Sequence, residues 1–256
     1  MSEKNKKSIN YRYSDETLKT SKEFSYATRL ASALKTALSP LVFGNYGNEL
    51  HKRLQSRIIA VLSTGPTEKK GERTLADGNL ALLKGLELNP YTSFSWLTHA
   101  IFIKADIVPI PDGIKIQLPA MGRDNFKWPE RGAEAYLSIR CIVLDVRELT
   151  VDVYALEPLA FAYGHKKKQQ QRSAVVPIEN MEDRLALVAV GVSFLRTDGA
   201  GGDGLISNNR KYYAAYLAEA AYVKNGEVVV FEGEQAPKTA SQPEAPNVKI
   251  VKWDED

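Results

Sequence analysis

The sequence predicts an α+β protein: an N-terminal helical hairpin followed by an antiparallel β-sandwich, with disordered arms at both ends. Three observations predict it. Apolar residues recur every three or four positions up to about Asn89-Pro90, and thereafter they mostly alternate one by one. The alternating runs are separated by turn residues at the spacing of sandwich or barrel strands. Late in the chain, Asn225-Gly226 sits between two apolar runs, which is the strongest short-range hairpin signal. The expected organisation is an arm over residues 1–20, helices over 21–90, a sandwich over 91–232 and a tail over 233–256.

The first helix is expected over residues 21–38. Thr20 or Ser21 caps it, and Glu23 lies early against the positive end of the helix dipole. Phe24, Ala27, Ala31, Leu34 and Leu38 form its apolar stripe, and Ser39-Pro40 ends it because proline has no amide to donate. A second helix is expected over 45–63, with Leu50, Leu54, Ile58 and Val61 or Leu62 inward. His51, Lys52, Arg53 and Arg57 decorate its outside, and Gly65-Pro66 closes it. The short link makes the pair an antiparallel hairpin. Residues 67–73 read as a loop, and 75–88 suits helix or strand.

In the second part, Ile101, Ile103, Ala105 and Ile107 share one phase, as do Ile114, Ile116 and Leu118, with a turn at Pro111-Asp112-Gly113 between. Ala135, Leu137, Ile139 and Cys141 alternate, and the apolar phase then jumps to Ile142, Leu144 and Val146, as a β-bulge would produce. Leu149, Val151, Val153 and Ala155 follow as another strand. Residues 185–195 are apolar on both faces and read as a central strand. Residues 211–223 carry a helical spacing at Tyr212, Tyr216 and Ala220, but the Asn225-Gly226 signal decides for strand. The tail is poor in apolar residues until 248–253, a short alternating segment that reads either as a frayed tail or as a strand able to add to a sheet edge and promote self-association.

Composition excludes more than it identifies. The chain has 256 residues, 44% hydrophobic and 25% charged, ordinary for a globular protein. Its net charge of +3 is uneven: residues 1–90 hold fifteen Lys/Arg against nine Asp/Glu, and 91–256 nineteen against twenty-two. The basic front favours an anionic partner. One cysteine, Cys141, and a charged start with no apolar stretch behind it lead to a cytoplasmic expectation. No run reaches the length of a membrane helix.

No catalytic or cofactor motif emerges. The glycine-rich loop from Asp198 to Gly204 lacks the lysine and following helix of a phosphate loop. Asp198, Asp203, Ser207 and Asn208 offer hard oxygens for calcium, without the EF-hand spacing. His51, His99 and His165 are expected in a helix, a strand and a loop, with no ligand spacing, and Cys141 reads as a core residue. The basic run His165, Lys166, Lys167, Lys168 to Arg172 reads as a solvated hairpin tip able to meet a partner. Phe126 and Trp128, in the loop over 119–131, complete the expected contact surface, with Trp128 exposed. Trp96 is placed equally well as an anchor between helices and sheet or as a contact. Lys52, Arg53 and Arg57 are the candidate anion-binding set.

The segments Lys22-Glu-Phe24-Ser-Tyr-Ala27, Ala37-Leu-Ser-Pro-Leu41, Leu86-Glu-Leu88-Asn89 and Val190-Gly-Val-Ser-Phe194 resemble those of a group of Bacteroidota proteins with no established activity. The resemblance implies the helices-then-sheet order and no site residue. The functional expectation is a non-enzymatic structural or protein-binding component that uses its sandwich loops as contact surface. Nucleic-acid or anionic-polymer binding by the basic helical part is the alternative, and carbohydrate binding by loop aromatics a second. The expected partner is a protein or a second copy of the chain, with no cofactor, membrane or small molecule.

Overall fold

Ser14 starts the first helix. Its hydroxyl accepts the Thr17 amide at 3.2 Å, and Asp15 and Glu16 follow at the positive end of the dipole. Helix α1 (Asp15–Leu38) therefore begins six residues before the expected start and takes in the last part of the expected arm. Periodicity misses these turns because they bury nothing. The computed structural model describes residues 13–43, 47–99, 109–110, 113–165, 172–177, 183–197, 205–207, 209–225, 227–229 and 231. The predicted strand over 101–107, the lysines 166–168, most of the 198–208 loop and the 248–253 segment lie outside them.

Within those residues the chain is α+β, with helices first and antiparallel sheets after. Ala27, Leu30, Ala31, Leu34, Ala37 and Leu38 form the buried stripe of α1. Leu30 and Ala37 draw its centre away from Phe24, which is 56% exposed rather than inward as expected. Helix α2 (Gly47–Ser63) buries Leu50, Leu54, Ile58, Val61 and Leu62, as its spacing predicts. The two helices form the expected hairpin, where Gln55 Nε2 donates to Thr28 Oγ1 at 2.6 Å. Residues 67–83 form short 3-10 turns rather than the long helix or strand considered for 75–88. An ion pair pins them to α1: the Arg73 guanidinium donates from Nε to Glu23 Oε1 at 2.6 Å and from Nη2 to Oε2 at 2.9 Å.

The strands make two antiparallel sheets. The larger has seven strands. Its path runs β10 (Glu227–Val228), β9 (Tyr213–Lys224), β7 (Arg184–Arg196), β3 (Gly132–Asp145) and β4 (Val151–Ala155). β5 (Leu159–Ala162) pairs with the other end of β3, and β8 (Leu205–Ile206) with the end of β7. The smaller sheet is β1 (Pro109–Ile110), β2 (Gly113–Leu118) and β6 (Arg172–Pro177). The helices cover one face of the large sheet: α1, α2, β3, β7 and β9 share a single core, so the segment at 21–90 has no separate one. The small sheet and the one-turn helix α3 (Phe94–Leu97) cover the other face.

This layering explains the phase jump at Cys141-Ile142, and no bulge lies there. The pairing of β3 with β7 and β4 runs straight through. Ala135, Leu137, Ile139, Cys141 and Val143 face the small sheet, whereas Ile142 and Leu144 face the helices. Beyond Cys141 both faces are covered, so apolar residues stop alternating. Register shifts occur instead at Gly132/Glu134 and between Val188 and Ala189, opposite Glu219 and Leu217. The second leaves Ala218 out of the ladder and resets the alternation of β9. It thereby turns Ala220 toward the helices, whereas Tyr212 and Tyr216 face the other layer, so the spacing of four does not mark one face. As expected, β9 is a strand, β7 is central, and Asn225 turns the chain into β10 with φ of 54°.

Candidate contact surface at the loop end of the sheet

The topology brings three connections to one end of the large sheet. Residues 119–131 lead into β3, residues from 163 leave β5, and residues from 197 leave β7. They are tied together. The Thr197 amide donates to the Arg131 carbonyl at 3.2 Å, and the Tyr163 amide to the Ala133 carbonyl at 2.8 Å. Arg123 Nη1 donates to the Tyr163 carbonyl at 3.0 Å.

Phe126 does not belong to the contact surface. It is 3% exposed, with its ring 4.9 Å from Phe161 and 6.4 Å from Phe194. A Phe side chain here anchors the loop, because its apolar area is removed from water. Trp128 is half-buried rather than exposed. Its indole N–H donates to the Arg123 carbonyl at 2.7 Å, and its ring lies 5.2 Å from Tyr163 and 5.5 Å from Phe194. Trp96, by contrast, is exposed, and Phe94 and Leu97 are the anchors. A single turn capped by Ser93 puts positions 94 and 97 on one side and Trp96 on the other.

Three exposed rings at this end carry a cation. Lys127 Nζ lies 3.3 Å from the centre of the Trp96 ring, Arg123 lies 5.3 Å from Tyr163, and Arg210 lies 4.9 Å from Tyr91. The Lys127 amide also donates to the Leu97 carbonyl at 2.7 Å, which joins loop 119–131 to α3. The Asn89 and Thr92 side chains donate to the Arg210 carbonyl, which fixes the start of the segment that carries Tyr91. The sequence signals Tyr91 and Trp96 only as part of an aromatic-rich stretch and gives no signal for Tyr163. Which cation each would meet depends on contacts between distant segments.

His165 is exposed just after β5, and its amide donates to the Ala162 carbonyl. Arg172 is exposed at the start of β6, opposite Leu118 of β2. Residues 165–172 therefore join the large sheet to the small one, where a hairpin tip within one sheet is expected. Lys166, Lys167 and Lys168 lie outside the described residues.

The helical anion set does not hold together. Lys52 and Arg57 are exposed on α2, but Arg53 turns inward. Its Nη1 is shielded from solvent and meets no hydrogen-bond partner among the described residues. Burial lowers its pKa, and nearby Glu87 opposes that shift. The Glu87 carboxylate itself accepts the Phe94 amide at 3.0 Å, and burial raises its pKa.

Other reactive groups sit apart from this end. The Cys141 thiol is buried and pushed up to about 12 by burial, which disfavours a thiolate. His99 is not in a strand but in the turn after α3, with φ of 46°. Among the described residues no three His, Cys, Asp or Glu side chains gather as metal ligands, and no helix is long and apolar enough to cross a membrane. Beside the loop end, a groove of about 390 Å3 opens on the helix-covered face, lined by Leu41, Phe43, Tyr136, Ser138, Ser193 and Ile206. The Tyr136 hydroxyl donates to the Glu134 carboxylate next to it. No family model, curated protein or solved structure matches the chain.

Proposed function

We propose that this protein is a non-enzymatic binding component that meets a macromolecular partner through the loop end of its large sheet. One observation supports the reading above others: three exposed rings, each beside a cation, on segments tied to one another by main-chain and side-chain hydrogen bonds. Rings that present apolar area with a polar rim suit contact surfaces, and a rigid scaffold limits the ordering entropy of binding. The groups displayed here are rings and guanidinium or ammonium groups, which serve contact. A nucleophile paired with a base is the arrangement that would serve catalysis.

Amine labelling of the lysines in native cell extract, compared with the purified chain, tests the proposal. Lys127 is expected to lose reactivity in extract, while Lys22 and Lys52 on the helices label equally in both. Equal labelling of Lys127 in both preparations overturns it. Anion binding by the helical part is less well supported, because Arg53 points away from Lys52 and Arg57.

A further inference from the structure

We infer that the partner at the loop end is a single-stranded nucleic acid, whose bases stack along Tyr91, Trp96 and Tyr163 while its phosphates meet Arg210, Lys127 and Arg123. The inference rests on the contact-surface reading above and names its ligand.

The three ring–cation pairs form one chain of contacts. Tyr91 and Arg210 stand at the entry to α3, and α3 carries Trp96. Lys127 lies over Trp96 and is followed by Trp128, whose ring touches Tyr163, which in turn lies under Arg123. Tyr91 is 54% exposed, Trp96 47% and Tyr163 52%, so each ring presents surface to solvent although a cation lies beside it. Non-specific single-strand binders combine these two elements: aromatic faces for the bases and positive charge along the backbone. A cationic partner would meet an adverse field and a neutral one would gain nothing from it, since residues 89–99, 119–131, 163–165 and 209–212 together hold five Lys/Arg against two Asp/Glu. Asp124 pairs with Arg123 at 3.3 Å and is one of those two acids.

Duplex DNA fits less well. Its bases are stacked on each other and offer the rings no faces. An acidic protein would satisfy the cations and leave the exposed indole of Trp96 without a stacking partner.

The test uses the full chain and a fluorescein-labelled oligothymidylate of roughly 12 nucleotides, a length suited to such sites. Anisotropy is read at 50 and 200 mM NaCl, with a matched duplex and poly-glutamate as competitors. Three phosphate contacts predict a roughly 20-fold loss of affinity over that salt range, from a slope of about 0.7 per phosphate. Trp96→Ala and Tyr163→Ala are each expected to weaken binding about fivefold or more, the loss of one stacked base. Trp96→Phe should keep most of the affinity, and Lys52→Ala with Arg57→Ala should change nothing. All these side chains are exposed, and equal melting temperatures confirm that the variants fold.

Competition by poly-glutamate as strong as by oligothymidylate overturns the inference in favour of an acidic protein. A loss with Lys52→Ala and Arg57→Ala equal to that of Trp96→Ala also overturns it, and moves the site to the helices. If oligothymidylate does not bind while Lys127 remains protected in extract, the nucleic-acid inference fails and the contact-surface reading stands. If Lys127 is unprotected as well, both fail.

Discussion

Phe126→Ala separates an anchoring role from a contact role. A contact residue can be truncated with little effect on stability, usually within about 0.5 kcal/mol on a surface. Phe126 is 3% exposed and packs against Phe161, Phe194 and Trp128. Burying a Phe side chain of this kind removes roughly 150 Å2 or more of apolar area from water, worth about 4 kcal/mol at 25 cal/mol per Å2. Residual structure in the unfolded chain reduces that figure, and the cavity left behind raises it. The expected loss is therefore about 3–4 kcal/mol. For a chain of this length each kcal/mol lowers the melting temperature by about 2–4 °C, so a fall of roughly 6–16 °C follows. Urea unfolding followed by tryptophan fluorescence measures the free energy, and calorimetry measures the temperature. Lys127→Ala, one residue away and exposed, is the control and should cost no more than about 0.5–1 kcal/mol, the worth of its contact with Trp96. A Phe126→Ala loss below about 1 kcal/mol with an unchanged urea slope would refute the anchoring argument and return Phe126 to the surface.

Three further outcomes follow from groups elsewhere in the fold. Arg73→Met leaves the partly buried Glu23 with only the Gly71 amide, so stability should fall by about 2–3 kcal/mol, below the full cost of an unpaired buried charge, and the double change with Glu23→Gln should recover much of it in a denaturant cycle. Asp145 accepts the Glu148 and Arg147 amides and pairs with Arg184, which together hold its pKa below the usual aspartate range. A depressed folded-state pKa contributes stability above the unfolded value, and that share disappears as pH falls through the folded one. Acid titration of the melting temperature should thus be shallower in Asp145→Asn. Cys141 should react with a thiol-disulfide reagent only as fast as the protein unfolds, and prompt reaction in native buffer would contradict its burial.

The order of elements was legible because burial acts on alternate sides. Leu50, Leu54 and Ile58 recur at helical spacing and are buried at that spacing, and Ala135 to Cys141 alternate because one face meets the small sheet. What misled was any stretch covered on both faces, or on neither. Ile142 and Leu144 looked like a slipped register, although they face the helices while Cys141 and Val143 face the other layer. The start of α1 was invisible to periodicity because it buries no side chain, although Ser14-Asp15-Glu16 carried the capping chemistry. At the loop end, aromatic content marked residues 91–96 and 126–128 but not Tyr163, and not the depth of each ring. Phe126 and Trp128 are covered by Phe161, Phe194 and Tyr163, which lie far away in sequence, whereas Trp96 is exposed because its turn directs Phe94 and Leu97 inward. Arg53 was misplaced for a similar reason. It lies among outward-facing cations on α2, yet Glu87 lies close enough to raise its pKa against the burial that lowers it.

The layered core also bears on the contact surface proposed at the loop end. Helices cover one face of the large sheet and the small sheet the other, so β3 and β7 are fixed from both sides. Segments that leave these strands start from rigid positions. Lys127 illustrates the gain. Its amide is bonded to Leu97, and its ammonium already rests over Trp96, so two long side chains are partly ordered before any partner arrives. Ordering such a side chain at an interface otherwise costs about 0.5–1.5 kcal/mol. A partner meeting three ring–cation pairs prepared in this way loses less entropy than one meeting loose lysines on a helix. Lys52 and Arg57, which stand on exposed helix positions, offer charge without that preparation. Loosening should therefore act on affinity independently of charge. Trp96→Ala keeps every charge but releases Lys127 from its ring, so a loss of affinity there is expected although the net charge does not change.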